Sequence, residues 1–128
     1  GALLSAVWDS DAEKYKTIAR IGTGYSDEEW VRIREMLDAN VREDRPVSVD
    51  SHVIPDVWTE PAYVVEVLAD EITLSPTHTA GRTGTELGMA LRFPRVVNFV
   101  REDKGPTDAT TVAEARLMFD RQGWDGKT

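Results

Sequence analysis

Apolar and polar positions at the start of the chain form two runs that predict a β-hairpin. Apolar residues dominate positions 3–8 and recur in a looser alternation over 15–21, which is typical of strands. The residues between the two runs, Asp9, Ser10 and Asp11, are turn formers. Two strands joined by a turn therefore open the predicted fold.

The hydrophobic period changes to that of a helix after residue 25. Ser26 and Glu29 have the spacing of an N-cap and its capping-box partner. Residues 27–29 are acidic and complement the positive end of a helix dipole. We therefore expect a helix that buries one apolar stripe. The stripe comprises Trp30, Ile33, Leu37 and Val41.

The middle of the chain predicts a long connection followed by a strand. Residues 42–61 are polar and contain prolines, with short extended pieces expected at 47–49 and 57–58. The run 63–74 is rich in β-branched residues and gives the strongest strand prediction of the chain. Residues 75–88 are rich in glycine and threonine and predict a loop.

The remaining sequence predicts two more extended pieces and a second helix. The extended pieces cover residues 89–93 and 96–100. Thr111 and Glu114 form a second capping box, and the helix that it opens is expected to run to about Gln122. The apolar side of this helix comprises Val112, Ala115 and Phe119.

These elements together predict a mainly β fold, a five-stranded OB-fold barrel with an internal helix and a C-terminal helix. An OB-fold is a partly open barrel whose face and loops bind nucleic acid. A β-sandwich is the alternative, less favoured because so much of the chain is helix. A length of 128 residues suits one domain. We assign that domain to residues 1–122 and expect 123–128 to be a disordered tail.

The residue content excludes several kinds of site. The absence of cysteine excludes disulfides and thiolate zinc sites. His52 and His78 are isolated, so we expect no metal centre. No apolar run approaches the roughly 18 residues that a membrane span needs, so no membrane contact is expected. These features agree with a cytoplasmic protein.

Charge is segregated along the chain. The formal net charge is −8, yet residues 82–104 include five basic and three acidic residues, a balance of +2. The remainder includes ten basic and twenty acidic residues, a balance of −10. A basic segment in an otherwise acidic protein is the form that a local polyanion site takes. The alternative is that arginine content reflects genomic bias and acidity serves solubility.

The basic segment holds the candidate functional residues. Arg92, Arg95, Arg101 and Lys104 fall within thirteen residues. A guanidinium offers a planar fork of donors that fits phosphate oxygens, so the segment predicts a phosphate-handling surface. Arg82, the first residue of the segment, lies in a glycine-flanked loop and is a candidate contact to a DNA backbone, with a mobile loop as the alternative.

Four blocks of sequence, in order, resemble the C-terminal OB-fold domain of ATP-dependent DNA ligases of the archaeal and eukaryotic replicative type. They span most of the chain. The last block resembles the motif that closes the ligase core, usually numbered VI. One block alone would be weak, and the ordered set is specific. The blocks are Ile21-Gly22-Thr23-Gly24-Tyr25-Ser26-Asp27-Glu28, Pro61 to Val67, Ile72-Thr73-Leu74-Ser75-Pro76-Thr77-His78, and Leu91 to Thr111.

The resemblance implies that the parent enzyme seals nicks in duplex DNA in three steps. A lysine in a nucleotidyltransferase domain of the same polypeptide attacks ATP and forms lysyl-AMP. AMP then passes to the 5′-phosphate of the nick, and the 3′-hydroxyl displaces it. ATP and Mg²⁺ are expected in the full-length enzyme, and neither is expected to bind this domain stably by itself.

The resemblance also implies roles for individual residues. Arg92, Arg101 and Lys104 would orient the β- and γ-phosphates of ATP and stabilise the leaving pyrophosphate, which is electrostatic catalysis. Asp103 would belong to the same catalytic set by orienting a neighbouring basic side chain. The residues expected to contact DNA are Arg82 and Arg95, and the alternative for Arg95 is a role at the ATP phosphates beside Arg101 and Lys104.

The partners implied by the resemblance are nicked duplex DNA and the nucleotidyltransferase domain, with a sliding clamp bound through other regions. The processes implied are DNA replication, repair and recombination. The expected location is the cytoplasm beside the nucleoid, or the nucleus in a eukaryote.

One absence defines what the chain is expected to do alone. The adenylylation motif is Lys-x-Asp-Gly, and no lysine of this sequence begins it. We therefore expect an excised domain that does not ligate by itself. The four lysines are Lys14, Lys16, Lys104 and Lys127.

Two other classes of function remain open at this point. One is an independent OB-fold that binds single-stranded nucleic acid, which would stack bases on exposed aromatic side chains. Few aromatics alternate with basic residues here, which counts against it. The other is a protein-docking module that uses the barrel as a scaffold.

Overall fold

The computed structural model describes residues 1–122, and they form a mainly β fold with two α-helices. Strands β1 (Leu3–Asp9) and β2 (Lys14–Ile21) pair antiparallel, so the predicted hairpin is confirmed. The Asp9 carboxylate accepts hydrogen bonds from the backbone N–H groups of Asp11 and Ala12 at 3.0 and 3.1 Å. These bonds close the turn, because an aspartate side chain can replace a backbone acceptor there.

Helix α1 (Asp27–Asp38) begins at the predicted capping box. The Ser26 hydroxyl accepts the Glu29 N–H at 3.2 Å, and the Glu29 carboxylate accepts the Ser26 N–H at 3.0 Å. The prediction that the buried stripe extends to Val41 is wrong, since Val41 is 46% exposed and lies in a strand. The reason is a tight turn in which the Asn40 N–H bonds to the Leu37 carbonyl and ends the helix.

The connection after α1 contains three two-residue strands: β3 (Val41–Arg42), β4 (Val49–Asp50) and β5 (Trp58–Thr59). Strands β3 and β5 pair antiparallel, and β4 adds to β2 in parallel. The two predicted extended pieces are therefore confirmed in outline. Long-range pairing, which no local pattern shows, fixes their partners.

The single strand predicted over residues 63–74 is wrong. Two strands occupy this region, β6 (Glu66–Leu68) and β7 (Glu71–Ser75). The Asp70 N–H between them donates to the Arg92 carbonyl at 2.9 Å, and the chain changes its pairing partner at this point. One continuous run of β-branched residues therefore forms two strands, and each strand pairs with a different partner.

Those ladders are completed by β8 (Gly88–Arg92), which pairs with β7, and β9 (Arg95–Val97), which pairs with β6. Both pairs are antiparallel. The predicted strand over 96–100 is too long, because Asn98 has a positive φ of 59° and leaves the extended conformation. The loop predicted between β7 and β8 is confirmed.

Helix α2 (Val112–Gln122) begins at the second predicted capping box, which is confirmed. The Glu114 N–H donates to the Thr111 hydroxyl at 3.1 Å, and the Glu114 carboxylate accepts the Thr111 N–H at 3.0 Å. At its other end the Gln122 side chain accepts the Ile72 N–H at 2.9 Å and docks the helix on β7. The predicted disordered tail, residues 123–128, lies outside the described residues.

The strands surround one core. Its most deeply buried residues come from β2, β8, β9, both helices and the loop between β7 and β8. Thr23 joins the end of β2 to β9 by accepting the Val96 N–H at 3.0 Å. The ladders of residues 1–122 form one three-stranded and three two-stranded sheets and do not close into a barrel. The five-stranded barrel thus stays a prediction. Neither described helix has the length and apolar character to cross a membrane.

Candidate functional site

A groove of about 320 Å³ lies between helix α1 and the segment 99–104. Most of its charged lining is basic. The segment is fixed from two sides: the Arg101 N–H donates to the Val64 carbonyl at 2.8 Å, and the Tyr25 hydroxyl donates to the Phe99 carbonyl. The charged lining comprises Arg32, Arg101, Glu102 and Lys104, and the apolar lining includes Met36, Tyr63 and Phe99.

Arg101 is held by two carboxylates. Its Nε and Nη2 donate to the two Asp103 oxygens at 2.9 and 2.8 Å, and its Nη1 lies 3.8 Å from the Glu66 Oε1. The hydrogen bonds from Arg101 lower the pKa of the Asp103 carboxyl below its usual value, and the same pair raises the pKa of Arg101. The guanidinium plane is therefore fixed by a bidentate pair, which is the geometry that an orienting role for Asp103 requires.

Lys104 follows this pair and lines the same groove. Within residues 1–122, no carboxylate forms an ion pair with its ammonium group. Its charge adds to the lowering of the pKa of Asp103 and of Glu114, in both cases behind the larger effect of hydrogen bonds to those carboxylates. As far as the described residues are concerned, the ammonium group is thus open to an incoming anion.

Arg92 and Arg95 lie at the turn between β8 and β9, outside the lining of the groove. Arg92 Nη1 contacts Glu71 Oε1 at 2.7 Å across the β7–β8 ladder. Arg95 Nη1 contacts Asp70 Oδ1 at 3.2 Å and the Phe93 carbonyl at 3.1 Å. Their carboxylate partners hold both guanidinium groups at one exposed edge.

Arg82 occupies a third position, in the loop between β7 and β8. Its Nη1 donates to the Pro76 carbonyl at 3.1 Å and lies 3.3 Å from His52 Nδ1. Its Nε is buried and has no hydrogen-bond partner in the described part of the chain. Arg82 is therefore partly enclosed, and the expected DNA contact would have to be made by the remainder of the guanidinium.

Buried polar side chains anchor the base of that loop. His78 Nδ1 lies 3.1 Å from the Thr17 hydroxyl, and the Thr17 N–H donates to the Thr79 hydroxyl at 3.0 Å. The Thr79 hydroxyl in turn donates to the Asp50 carbonyl at 2.7 Å. Burial lowers the pKa of His78, so its neutral form is favoured. The first part of the loop is thus tied to β2 and β4.

The structure therefore brings only part of the predicted set together. Arg101 and Lys104 line the groove and Asp103 pairs with Arg101, whereas Arg92, Arg95 and Arg82 lie elsewhere. Sequence reasoning also missed one basic residue of the groove, which is contributed by helix α1. Its proximity to the segment 99–104 depends on long-range packing, so no local pattern could have identified it. The missed residue is Arg32.

The residues present do not favour a metal site. No group of three or more His, Cys, Asp or Glu side chains in residues 1–122 is arranged to hold a metal ion. The charged lining of the groove is mainly cationic, which suits phosphate oxygens rather than Mg²⁺.

Comparison with known proteins shows the family to which this sequence belongs. Residues 1–104 match the family described as the ATP dependent DNA ligase C terminal region. A probable DNA ligase of Dictyoglomus turgidum is 60% identical over 119 residues, covering 93% of this chain and 20% of that protein. The DNA ligase of Hyperthermus butylicus is 43% identical over 124 residues, covering 95% of this chain and 20% of that protein. The chain thus spans about a fifth of the length of these relatives.

Proposed function

The chain belongs to the family of ATP-dependent DNA ligase C-terminal regions, and we propose that it works as the C-terminal OB-fold domain of a nick-sealing ligase. The observation that carries the proposal is that Arg101 and Lys104 line one groove, with Arg101 fixed by Asp103. Relatives that match nearly all of this chain are named DNA ligases, which supports the same assignment. The short strand pairs would together form a five-stranded barrel, which would be the scaffold of this domain.

In the first step of the proposed reaction, the groove faces ATP on the nucleotidyltransferase domain. The lysine amine of that domain attacks the α-phosphorus, and the bond to the β-phosphate oxygen breaks. Negative charge develops on the departing pyrophosphate, where the Arg101 guanidinium and the Lys104 ammonium stabilise it. Asp103 keeps the guanidinium plane aligned, so the donors need little reorganisation during the reaction.

Magnesium would be bound together with ATP on the nucleotidyltransferase domain, where it neutralises phosphate charge. The role of this chain is different and requires no metal ligand. It contributes basic side chains, which line the groove. Because the chain has no Lys-x-Asp-Gly sequence, it is proposed to be inactive without that domain.

For the sealing steps, the domain turns and its basic residues contact duplex DNA. Arg95 and Arg82 are the proposed contacts to the DNA backbone. Arg92 is proposed to bind the ATP phosphates, as the resemblance implies. Because Arg92 does not line the groove, its assignment can be tested separately from that of Lys104.

The proposed partners are nicked duplex DNA and the nucleotidyltransferase domain of the same polypeptide. A sliding clamp would bind through other regions, and the domain itself would not contact a membrane. The setting would be replication, repair and recombination, in the cytoplasm beside the nucleoid or in the nucleus of a eukaryote.

Binding of the chain to nicked duplex, intact duplex and single-stranded DNA over a range of salt concentrations tests the DNA-gripping role. We expect similar, weak binding to both duplexes that falls steeply with salt, because phosphate neutralisation drives it. Replacing Arg95 by glutamine should reduce the slope of log K against log salt by about one. Replacing the exposed Arg34 of helix α1 by glutamine is the matched control and should leave the slope unchanged.

A clear preference for single strands would contradict this role and favour the independent single-strand binder. The structure offers that alternative few stacking platforms. Among the described residues, the exposed aromatic side chains are Tyr63 and Phe93, which are 38% and 63% exposed. Base stacking on a single-strand binder uses several such rings in succession.

A further inference from the structure

Arg32 of helix α1 is the basic residue of the groove that lies outside the segment 92–104. Its Cζ lies 4.4 Å from the centre of the Phe99 ring, a distance typical of a cation–π contact. The ring itself is held by Tyr25, whose ring centre lies 5.6 Å from that of Phe99. The guanidinium therefore rests on a fixed platform at the wall of the groove.

The guanidinium of Arg32 is not neutralised where it lies. Glu28, Glu29 and Glu35 are near it along the helix, yet within the described residues none forms an ion pair with it. The Glu29 carboxylate is instead bonded to the Ser26 N–H of the capping box. Arg32 thus adds to the groove a positive charge that no ion pair within the described residues holds.

The charges around the groove favour a bound anion. Arg32, Arg101 and Lys104 line it together with one carboxylate, Glu102. Asp103 is already paired with Arg101. Arg101 already donates its Nε and Nη2 to Asp103, which leaves fewer of its donors for phosphate oxygens. A third basic side chain on α1 would contact the oxygens that the segment 99–104 leaves free.

We propose that Arg32 is a third phosphate-binding residue of this groove. Pyrophosphate bound there contacts Arg32 on α1 as well as Arg101 and Lys104 on the segment 99–104. This inference rests on the proposed function, since it assigns the ligand of the same groove. It extends the site from one continuous segment of sequence to two elements, α1 and the segment 99–104. The Phe99 ring keeps the guanidinium oriented, as Asp103 does for Arg101.

Reversal of the first step tests the inference directly, using the full ligase polypeptide charged as lysyl-AMP. In this reaction an oxygen of inorganic pyrophosphate bonds to the adenylyl phosphorus. The phosphorus–nitrogen bond to lysine breaks, and the nitrogen keeps the electron pair and takes up a proton, releasing ATP. The rate is measured against pyrophosphate concentration. Sealing of a pre-adenylylated nick, which involves no pyrophosphate, is measured in parallel.

Arg32→Gln should raise the pyrophosphate concentration for half-maximal rate about fivefold, an effect reduced by the exposure of the site. Sealing should be unchanged. Arg32→Lys keeps the charge and should recover most of the affinity, whereas Arg34→Gln on the same helix should behave as the unaltered enzyme. Urea denaturation of each variant checks that the free energy of unfolding is unchanged.

The outcomes separate this inference from the proposed function. If Arg32→Gln leaves the pyrophosphate concentration for half-maximal rate unchanged while Lys104→Gln raises it, Arg32 is not a ligand and the proposed function stands. If neither variant changes it, the proposed function itself is wrong. If Arg32→Gln slows reversal and sealing alike and Arg32→Lys recovers neither, the residue acts only through packing on Phe99, and the inference is overturned.

Discussion

Replacing Lys104 by alanine in the full ligase is expected to slow lysyl-AMP formation about a hundredfold and to change sealing of a pre-adenylylated nick only severalfold. The ammonium group lines the groove without a carboxylate partner in the described chain, so its charge is available to the leaving pyrophosphate. Pyrophosphate takes part in the first step alone. The two rates are measured separately, one from radiolabelled ATP and one from a pre-adenylylated nick.

Two further variants make the Lys104 result specific. Lys104→Arg keeps the positive charge and should retain most of the first-step rate. Arg20→Ala removes an exposed basic residue of β2 that does not line the groove and should change neither rate. Equal losses in both steps for Lys104→Ala would show that the lysine serves the fold or DNA binding, and the pyrophosphate assignment would then be wrong.

Gly24→Ala is expected to lower the free energy of unfolding by about 3 kcal/mol or more. Gly24 has a φ of 113°, which an alanine rarely adopts, and a Cβ there would lie 2.1 Å from the Val96 carbonyl oxygen. The nearest atoms are backbone, so no side-chain rotation relieves the contact. The change would push β9 away from Thr23 and displace the segment that leads to Arg101.

Gly84→Ala is the matched control for that substitution. Gly84 also has a positive φ, of 59°, but nothing lies within 4 Å of a Cβ built there. It should therefore show the conformational cost alone, about 1 kcal/mol. Urea denaturation measures both variants. Equal destabilisation by the two substitutions would mean that the close approach of Gly24 to β9 does not contribute to stability.

Local patterns predicted the parts of the fold that local interactions determine. The hairpin turn at Asp9 and the two capping boxes, at Ser26 and Thr111, depend on hydrogen bonds between residues close in sequence. The division of residues 63–74 into two strands depends instead on the Asp70 N–H meeting the Arg92 carbonyl. A run of β-branched residues gives no sign of such a change of partner.

The candidate site shows the same limit. The predicted catalytic set also includes Arg92, and the structure places together only its members that are close in sequence, Arg101, Asp103 and Lys104. Arg92 and Arg95 lie instead at the turn between β8 and β9, outside the groove lining, and their pairing with β7 and β6 depends on long-range contacts. The family assignment came from ordered blocks of sequence, because composition and periodicity indicated only a basic segment on a β scaffold.

We propose that this chain completes an adenylylation site whose nucleophile lies on another domain. The most direct test compares the rate of lysyl-AMP formation from ATP by the full ligase polypeptide with that of the same polypeptide lacking residues 1–128. Thermal denaturation must show that the remaining domains fold as before. The account predicts a loss of about a hundredfold or more in the shortened enzyme. An unchanged rate of lysyl-AMP formation without this chain would contradict it.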